Sequence, residues 1–490
     1  MSESTSIGLR SFDKLFIGGG WAQPATSERI DVISPVTEQC IGSVPAGSPD
    51  DIDNAVAAAR AAFDSGAWPG TSVGDRVALL RRVADEIDAR QRELTQAFLA
   101  EVGAPEAIGA AFHAIAADIW RRNADVLAAA FETEDRRSWE QGSGVVVREP
   151  IGVVAAITPW NGPVTLLSLK MAPALAAGCT VVAKPAWEGP TTTLLLAEAL
   201  QAAGVPQGVV SIIPGNRDTG EHLVKHPGVD KISFTGSTAA GRRIMGLCAD
   251  RIARITLELG GKSAGIIADD VALQDVLPTL IPASISHSGQ VCAAITRILI
   301  PRRRYDEVVE QIAAVLKSLP VGDPSDPATV VGPLVAERQR DRVESYIRLG
   351  RQEGARVVTG GGRPKGLERG WFVEPTLFAD VDNAMRIARE EIFGPVIVAI
   401  PFDDIDDAVA IANDSDYGLS GAVYARDIDL ANRIARRMRT GQVWVNSRGI
   451  CISEPFGGYK QSGIGREGGV EGLQSFLETK LIATVTGSSG

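Results

Sequence analysis

The chain has 490 residues, 49 basic and 60 acidic, for a net charge of −11; 45% of them are hydrophobic and 22% charged. At about 150 residues per domain that length gives about three units, too many for one hydrophobic core. An acidic chain is repelled by nucleic acid and by anionic lipid, which excludes both as expected partners.

The first residues, Met1 to Lys14, are polar, so no secretion signal is expected. The longest apolar stretch, Ile151 to Ile157, is far too short to cross a bilayer. The cysteines Cys40, Cys179, Cys248, Cys292 and Cys451 are scattered without CxxC pairs, which predicts reduced thiols and a cytoplasmic protein. No HExxH motif and no zinc-type spacing is present, so no metal is expected.

In chain order, Ser48-Pro49-Asp50-Asp51 reads as an N-cap, an N1 proline and an acidic first turn. Ile52, Val56, Ala59 and Phe63 follow at helical spacing. A second helix is expected over residues 77–100, with Leu79, Leu80, Val83 and Ile87 on one face. Residues 136–149 end in an alternating Gly-Val-Val-Val-Arg run and read as an extended arm. From Ile151 short apolar runs alternate with helix signals, the pattern of a parallel sheet wound with crossover helices. The alternation restarts after Ala264, so two α/β domains are expected, divided near Gly260-Gly261. Lys480 to Val485 reads as a lone strand that would pair with the Val145 to Arg148 arm, in this subunit or another.

Several motifs carry chemistry. Phe234-Thr-Gly-Ser237 follows an apolar run and opens a helix, where free backbone N–H groups can hold a pyrophosphate; an ordinary helix start fits equally well. Gly463-Ile-Gly-Arg-Glu-Gly468 matches GxGxxG but follows no predicted strand, and is read as unrelated to a dinucleotide fingerprint. Thr158-Pro-Trp-Asn161 sits at a strand's carboxyl end, where an Asn amide can stabilise an oxyanion, and Lys184 closes the next strand within reach of a ribose. Glu258-Leu-Gly-Gly261 and Gly289-Gln-Val-Cys292 offer a carboxylate and a thiol, the pair needed to attack a carbonyl and hydrolyse the resulting thioester.

With Ala172-Pro-Ala-Leu-Ala-Ala-Gly178, Glu391-Ile-Phe-Gly-Pro395 and Pro455-Phe-Gly-Gly-Tyr-Lys-Gln-Ser-Gly463, these segments stand in the order of the aldehyde dehydrogenase superfamily, which the chain resembles over nearly its whole length. The resemblance implies an α/β fold of the aldehyde dehydrogenase type, with two α/β domains built on parallel-type sheets and a small β oligomerisation arm. It implies a dinucleotide-binding domain of residues 1–128 and 149–260, a catalytic domain of 261–475, and an arm of 129–148 and 476–490.

By the same resemblance Cys292 is the nucleophile, Asn161 and the Cys292 backbone N–H stabilise the oxyanion, Glu258 activates water, and Lys170 and Glu467 form a proton relay or a structural ion pair. Ile157, Thr158, Pro159, Trp160, Lys184, Gly215, Phe234, Gly236, Ser237, Leu259, Gly260, Glu391 and Phe393 would hold the cofactor. Gly162, Leu166, Leu169, Ser286 and Cys451, with loop 450–453, would line the substrate pocket.

The expected activity is oxidation of a medium-sized apolar aliphatic, terpenoid or aromatic aldehyde to the acid, through a thiohemiacetal and a thioester on cysteine. NAD is the expected cofactor. Trp187 stands where many members carry the ribose-gripping Glu, with Glu188 next to it, so NADP is a second candidate. A CoA-acylating semialdehyde dehydrogenase and a non-catalytic scaffold with the same fold remain as alternatives. A homo-oligomer, dimer or tetramer, is expected.

Overall fold

The computed structural model describes residues 9–130, 134–139, 142–447, 451 and 454–485. Ser48 caps the Pro49–Asp64 helix as expected, in a reciprocal box. Its hydroxyl accepts from the Asp51 N–H, while the Asp51 carboxylate accepts from the Ser48 N–H at 2.9 Å. The helix expected over 77–100 is instead two, Val73–Ala89 and Gln91–Val102. Between them Arg90 takes ψ 6° and turns its guanidinium back onto the Glu86 carbonyl at 3.1 Å. Neither Gly nor Pro marks that break, and the apolar period runs straight through it.

The first sheet has eight strands. Its parallel centre runs Arg254–Glu258, Lys231–Thr235, Val153–Thr158, Thr180–Pro185 and Val210–Ile212. Antiparallel edges are added by Gly463–Ile464 on one side and by Leu15–Ile17 with Gly20–Ala22 on the other. Strands such as Val153–Thr158 and Thr180–Pro185 are buried at every position, because helices cover both faces. The Pro163–Ala177 and Pro190–Ala202 helices are correspondingly apolar around most of their circumference.

A second sheet of seven strands holds Ser263–Ile267 between Ile295–Pro301 and Ser420–Tyr424 and is parallel except at its Arg356–Thr359 edge. The chain passes between the sheets over residues 259–262, since one strand ends at Glu258 and the next begins at Ser263. The GxGxxG run supplies an edge strand of the first sheet, with Gly463 opposite Glu258, and not a phosphate loop.

Leu477–Val485 pairs antiparallel with Gly142–Pro150 of the same chain, Leu481 opposite Val146, and Glu134–Trp139 completes a three-stranded sheet. The parallel strands of the first sheet therefore end together at Thr158, Pro185, Thr235 and Glu258, beside the crossover to the second sheet. No helix among the described residues is long and apolar enough to cross a membrane.

Candidate functional site

Cys292 follows three successive residues in the left-handed region, His287 (φ 52°), Ser288 (φ 56°) and Gly289 (φ 70°). Two of them carry side chains, so the turn is strained and must be held by its surroundings. Ser288 donates its hydroxyl to the Gly332 carbonyl at 2.8 Å. The Gln290 side chain accepts from the Val335 N–H at 3.0 Å and donates to the His287 carbonyl at 3.2 Å. A Cβ on Gly289 would lie 2.1 Å from the Gly394 carbonyl, and one on Gly261 would lie 2.5 Å from the Cys292 carbonyl. Glycine at both points is a packing requirement.

Asn161 stands at the turn that leads from Val153–Thr158 into the Pro163–Ala177 helix. Its amide donates to the Gln290 carbonyl at 2.9 Å, which ties that turn to the cysteine loop. The thiol of Cys292 is pushed up to about 12, first by burial and then by the negative charges of Glu391 and Glu258; the backbone N–H groups of Cys292 and Ala293 pull it down.

Glu258 ends its strand with only 2% of its surface exposed, and neither carboxylate oxygen has a hydrogen-bond partner in the structure. Burial, then the charge of Glu467, holds its pKa well above the usual carboxylate range, while Lys170 and Arg466 act against this. Gly457 makes room for it, since a Cβ there would lie 2.6 Å from the Glu258 carboxylate. Behind it Lys170 and Glu467 form a buried pair at 2.5 Å.

A cleft of about 310 Å³ brings together Pro159, Trp160, Asn161, Leu166, Gly236, Ser237, Leu259, Gly260, Cys292, Glu391 and Phe393. Its walls also include Thr235, which lies inside the Phe234-Thr-Gly-Ser237 motif, and Gln339 and Arg342, which no sequence motif singled out. Glu391 accepts from the Gly261 N–H at 3.1 Å and is raised to about 7 by burial. A Cβ on Gly260 would stand 2.4 Å from its carboxylate. Phe393 (φ 63°) meets Trp160 edge-on, with ring centroids 5.6 Å apart.

A second cleft of about 400 Å³, lined by Ile157, Lys184, Asn216, Phe234 and the Thr238–Ala249 helix, meets the first at Ser237. Ser237 caps that helix, accepting from the Ala240 N–H at 3.3 Å. Lys184 donates to the Gly215 carbonyl at 2.9 Å, and burial lowers it to about 8. Glu188 accepts from the Trp187 indole at 2.6 Å and pairs with Arg338, so its carboxylate is already engaged.

Not every expected residue reaches these clefts. Leu169 is 2% exposed and packs in the helical core on one side of the first sheet, away from the cleft lining. Gly162 is buried at the N-cap of its helix against Phe112. Ser286 joins the Leu273–Ile285 helix to the strained turn, and Thr158 is buried at its strand end. Cys451 is half-buried, its carbonyl accepting from Gln442 at 3.1 Å; residues 450, 452 and 453 of the expected mouth loop lie outside the described residues.

A model of the aldehyde dehydrogenase family matches residues 21–482. Geranial dehydrogenase of Castellaniella defragrans is 47% identical over 469 residues, covering 96% of this chain and 98% of that protein. Mycobacterium tuberculosis aldehyde dehydrogenase, crystallised with NAD+, superposes with a TM-score of 0.96 at 46% identity over 98% of this chain and 100% of that one. A mutant of aldehyde dehydrogenase C from Pseudomonas syringae, complexed with NAD+ and octanal, superposes with a TM-score of 0.92 at 43% identity over 96% of each chain.

Proposed function

The chain belongs to the aldehyde dehydrogenase family, and from that premise we propose that it oxidises a medium-sized apolar aldehyde, aliphatic or terpenoid or aromatic, to the free carboxylic acid with NAD+. The observation that carries this reading is one constellation: Cys292 in an apolar-walled cleft, Asn161 tied to its loop, and the unpartnered Glu258 carboxyl close enough to shift the thiol's pKa. The relatives that act on geranial or were crystallised with octanal support the substrate class.

Cys292, once ionised, attacks the aldehyde carbon. One N–H of the Asn161 amide is committed to Gln290; the other, with the Cys292 backbone N–H, is available to the oxyanion of the thiohemiacetal. When bound, the dinucleotide would supply the hydride acceptor that turns the thiohemiacetal on Cys292 into a thioester. Glu258 then removes a proton from water, whose oxygen attacks the acyl carbon; the carbon–sulfur bond breaks, and acid and thiolate separate. A general base in this role needs a pKa moved up toward neutrality, which is the direction that burial gives Glu258.

The cofactor fit rests on two clefts joined at a helix N-terminus. Lys184, with the Gly215 carbonyl, would hold the adenosine ribose, and Ser237 with its helix the pyrophosphate. Glu391 would hold the nicotinamide ribose, beside Phe393. Trp160, Pro159, Leu259 and Gly260 complete the near wall. NADP is a second acceptor in this reading, because Arg338 occupies the Glu188 carboxylate that would otherwise repel a 2′-phosphate.

The domain division expected from sequence, with its arm of residues 129–148 and 476–490, goes with a cytoplasmic homo-oligomer. The exposed Leu481 (56%), Ile482 (55%) and Trp139 (39%) of the three-stranded sheet support burial against another subunit.

Product analysis tests the reaction class. Octanal with NAD+, with and without CoA, should give free octanoic acid at the same rate in both arms. Octanoyl-CoA formed in the CoA arm would replace the hydrolytic reading with the acylating one.

A further inference from the structure

A stripe of polar side chains runs along the second and third strands from one edge of the first sheet. Lys231, Ser233 and Thr235 are paired in register with Arg254, Thr256 and Glu258 on the neighbouring parallel strand. Alternate residues of a strand share a face, so the two trios lie side by side. Lys231, Ser233, Thr256 and Glu258 are each no more than 2% exposed. Lys231 reaches forward to donate to the Thr256 hydroxyl at 2.7 Å, with its ammonium 5.0 Å from the centre of the Phe476 ring. Beside Thr256, Ser233 donates to Glu467 at 3.2 Å, the same carboxylate that pairs with Lys170.

The buried cluster thus contains two carboxyls, Glu258 and Glu467, and two ammoniums, Lys170 and Lys231. An unmatched charge in such an interior is costly and is removed by a proton shift. Lys170 alone can balance only one carboxylate. The remaining groups around Lys231 do not supply the second charge from inside. Cys179 is held neutral, its thiol pushed up to about 11 by burial. Arg254 is half exposed and paired with Glu478 at 2.9 Å. Arg466 also lowers Glu258, but from the rim, half-buried with its guanidinium on the Gly458 and Gly465 carbonyls.

We propose that Lys231 is a positioning residue for the hydrolytic half-reaction: acting through Glu467, its ammonium is the second fully buried counter-charge, beside Lys170, that helps Glu258 ionise next to the acyl-enzyme. This rests on the reading of Glu258 as the general base. Burial lowers Lys231 to about 8, so it still carries its charge at neutral pH. Removing that charge raises the proton affinity of Glu258 and moves its ionisation to higher pH.

The test uses full-length enzyme with NAD+ and octanal. Stopped flow reads the NADH burst, and quenching with intact-mass detection reads acyl-enzyme hydrolysis across pH. In Lys231→Met the ascending limb of hydrolysis should move up by about one pH unit. Hydrolysis below the midpoint is then about tenfold slower, while the burst remains. Lys231→Arg keeps the charge and should return the limb to its wild-type position. An unmoved limb in Lys231→Met, or a Lys231→Arg limb displaced as far, overturns the proposal. Should Lys231→Met not fold, Thr256→Val decides: it removes the anchor of the ammonium and should move the limb the same way by a smaller amount, and no movement overturns the proposal. Glu258→Gln separates the two readings. Undiminished turnover in that variant refutes Glu258 as the base, whereas its loss beside an unmoved Lys231→Met limb refutes the role of Lys231 alone.

Discussion

Alkylation of Cys292 in the cofactor-free enzyme should be slow, and Glu391→Gln should accelerate it in a pH-dependent way. Burial and two carboxylates push the thiol from 9.0 to about 12. At pH 7.5 a pKa of about 12 leaves about three thiolates in 10⁵, against about 3% for the unperturbed group, so alkylation should be about a thousandfold slower. Glu391 is the larger of the two electrostatic causes, and its own pKa is raised to about 7. Above pH 7 it is an anion and suppresses the thiolate; below pH 7 it is neutral and does not. Glu391→Gln should therefore alkylate about tenfold faster than wild type near pH 8.5, and at nearly the wild-type rate near pH 6. Iodoacetamide labelling followed by peptide mass analysis reads Cys292 separately from the exposed Cys40. A rate ratio that stays flat across pH, or falls below one, refutes the assignment of Glu391 as the local brake on the thiol.

Three further outcomes are expected. Asn161→Ala removes the oxyanion amide and the donor to Gln290, and should lower turnover by about 10²- to 10³-fold with cofactor affinity little changed; a loss below tenfold sinks the oxyanion role. Arg338→Ala releases Glu188, and the NAD-to-NADP ratio of kcat/KM should rise by about tenfold; an unchanged ratio removes Arg338 from cofactor choice. His113 and His287 are both lowered to about 4 by burial. An unfolded histidine binds its proton near pH 6.5 and the folded one only near 4. Their stability contribution is therefore complete above about pH 6.5 and lost as pH falls toward 4, by about 3 kcal/mol each. Thermal midpoints measured across that window should fall less steeply in His287→Phe, whose ring would join Phe98 and Phe112.

Local signals carried much of the architecture. The Ser48 cap and the alternation of buried strands with apolar helices follow from turn chemistry and hydrophobic period, and each has its structural counterpart. The Arg90 break was invisible because no residue type forces it; a guanidinium–carbonyl contact and tertiary packing do. The candidate site was legible where a motif names a side chain, as at Cys292, which lines the cleft, and at Glu258, which is buried close enough to act on that thiol. It was not legible where the function of a residue lies in what it holds. Gln290 joins the nucleophile loop to Asn161 through its own carbonyl, and Lys231 enters the catalytic cluster only through strand register. Leu169 is a pocket residue only by family resemblance, and an apolar helix buried all round has no sequence marker for its cleft side.

In the proposed chemistry Cys292 carries the oxidation of an aldehyde to its acid. Reduced-nicotinamide absorbance, followed with octanal and with citral in the presence of NAD+, tests it most directly when wild type is run beside Cys292→Ala. Wild type should form NADH steadily with an equivalent of carboxylic acid, and a folded Cys292→Ala that still binds NAD+ should form none. Turnover that survives the loss of the thiol would contradict it.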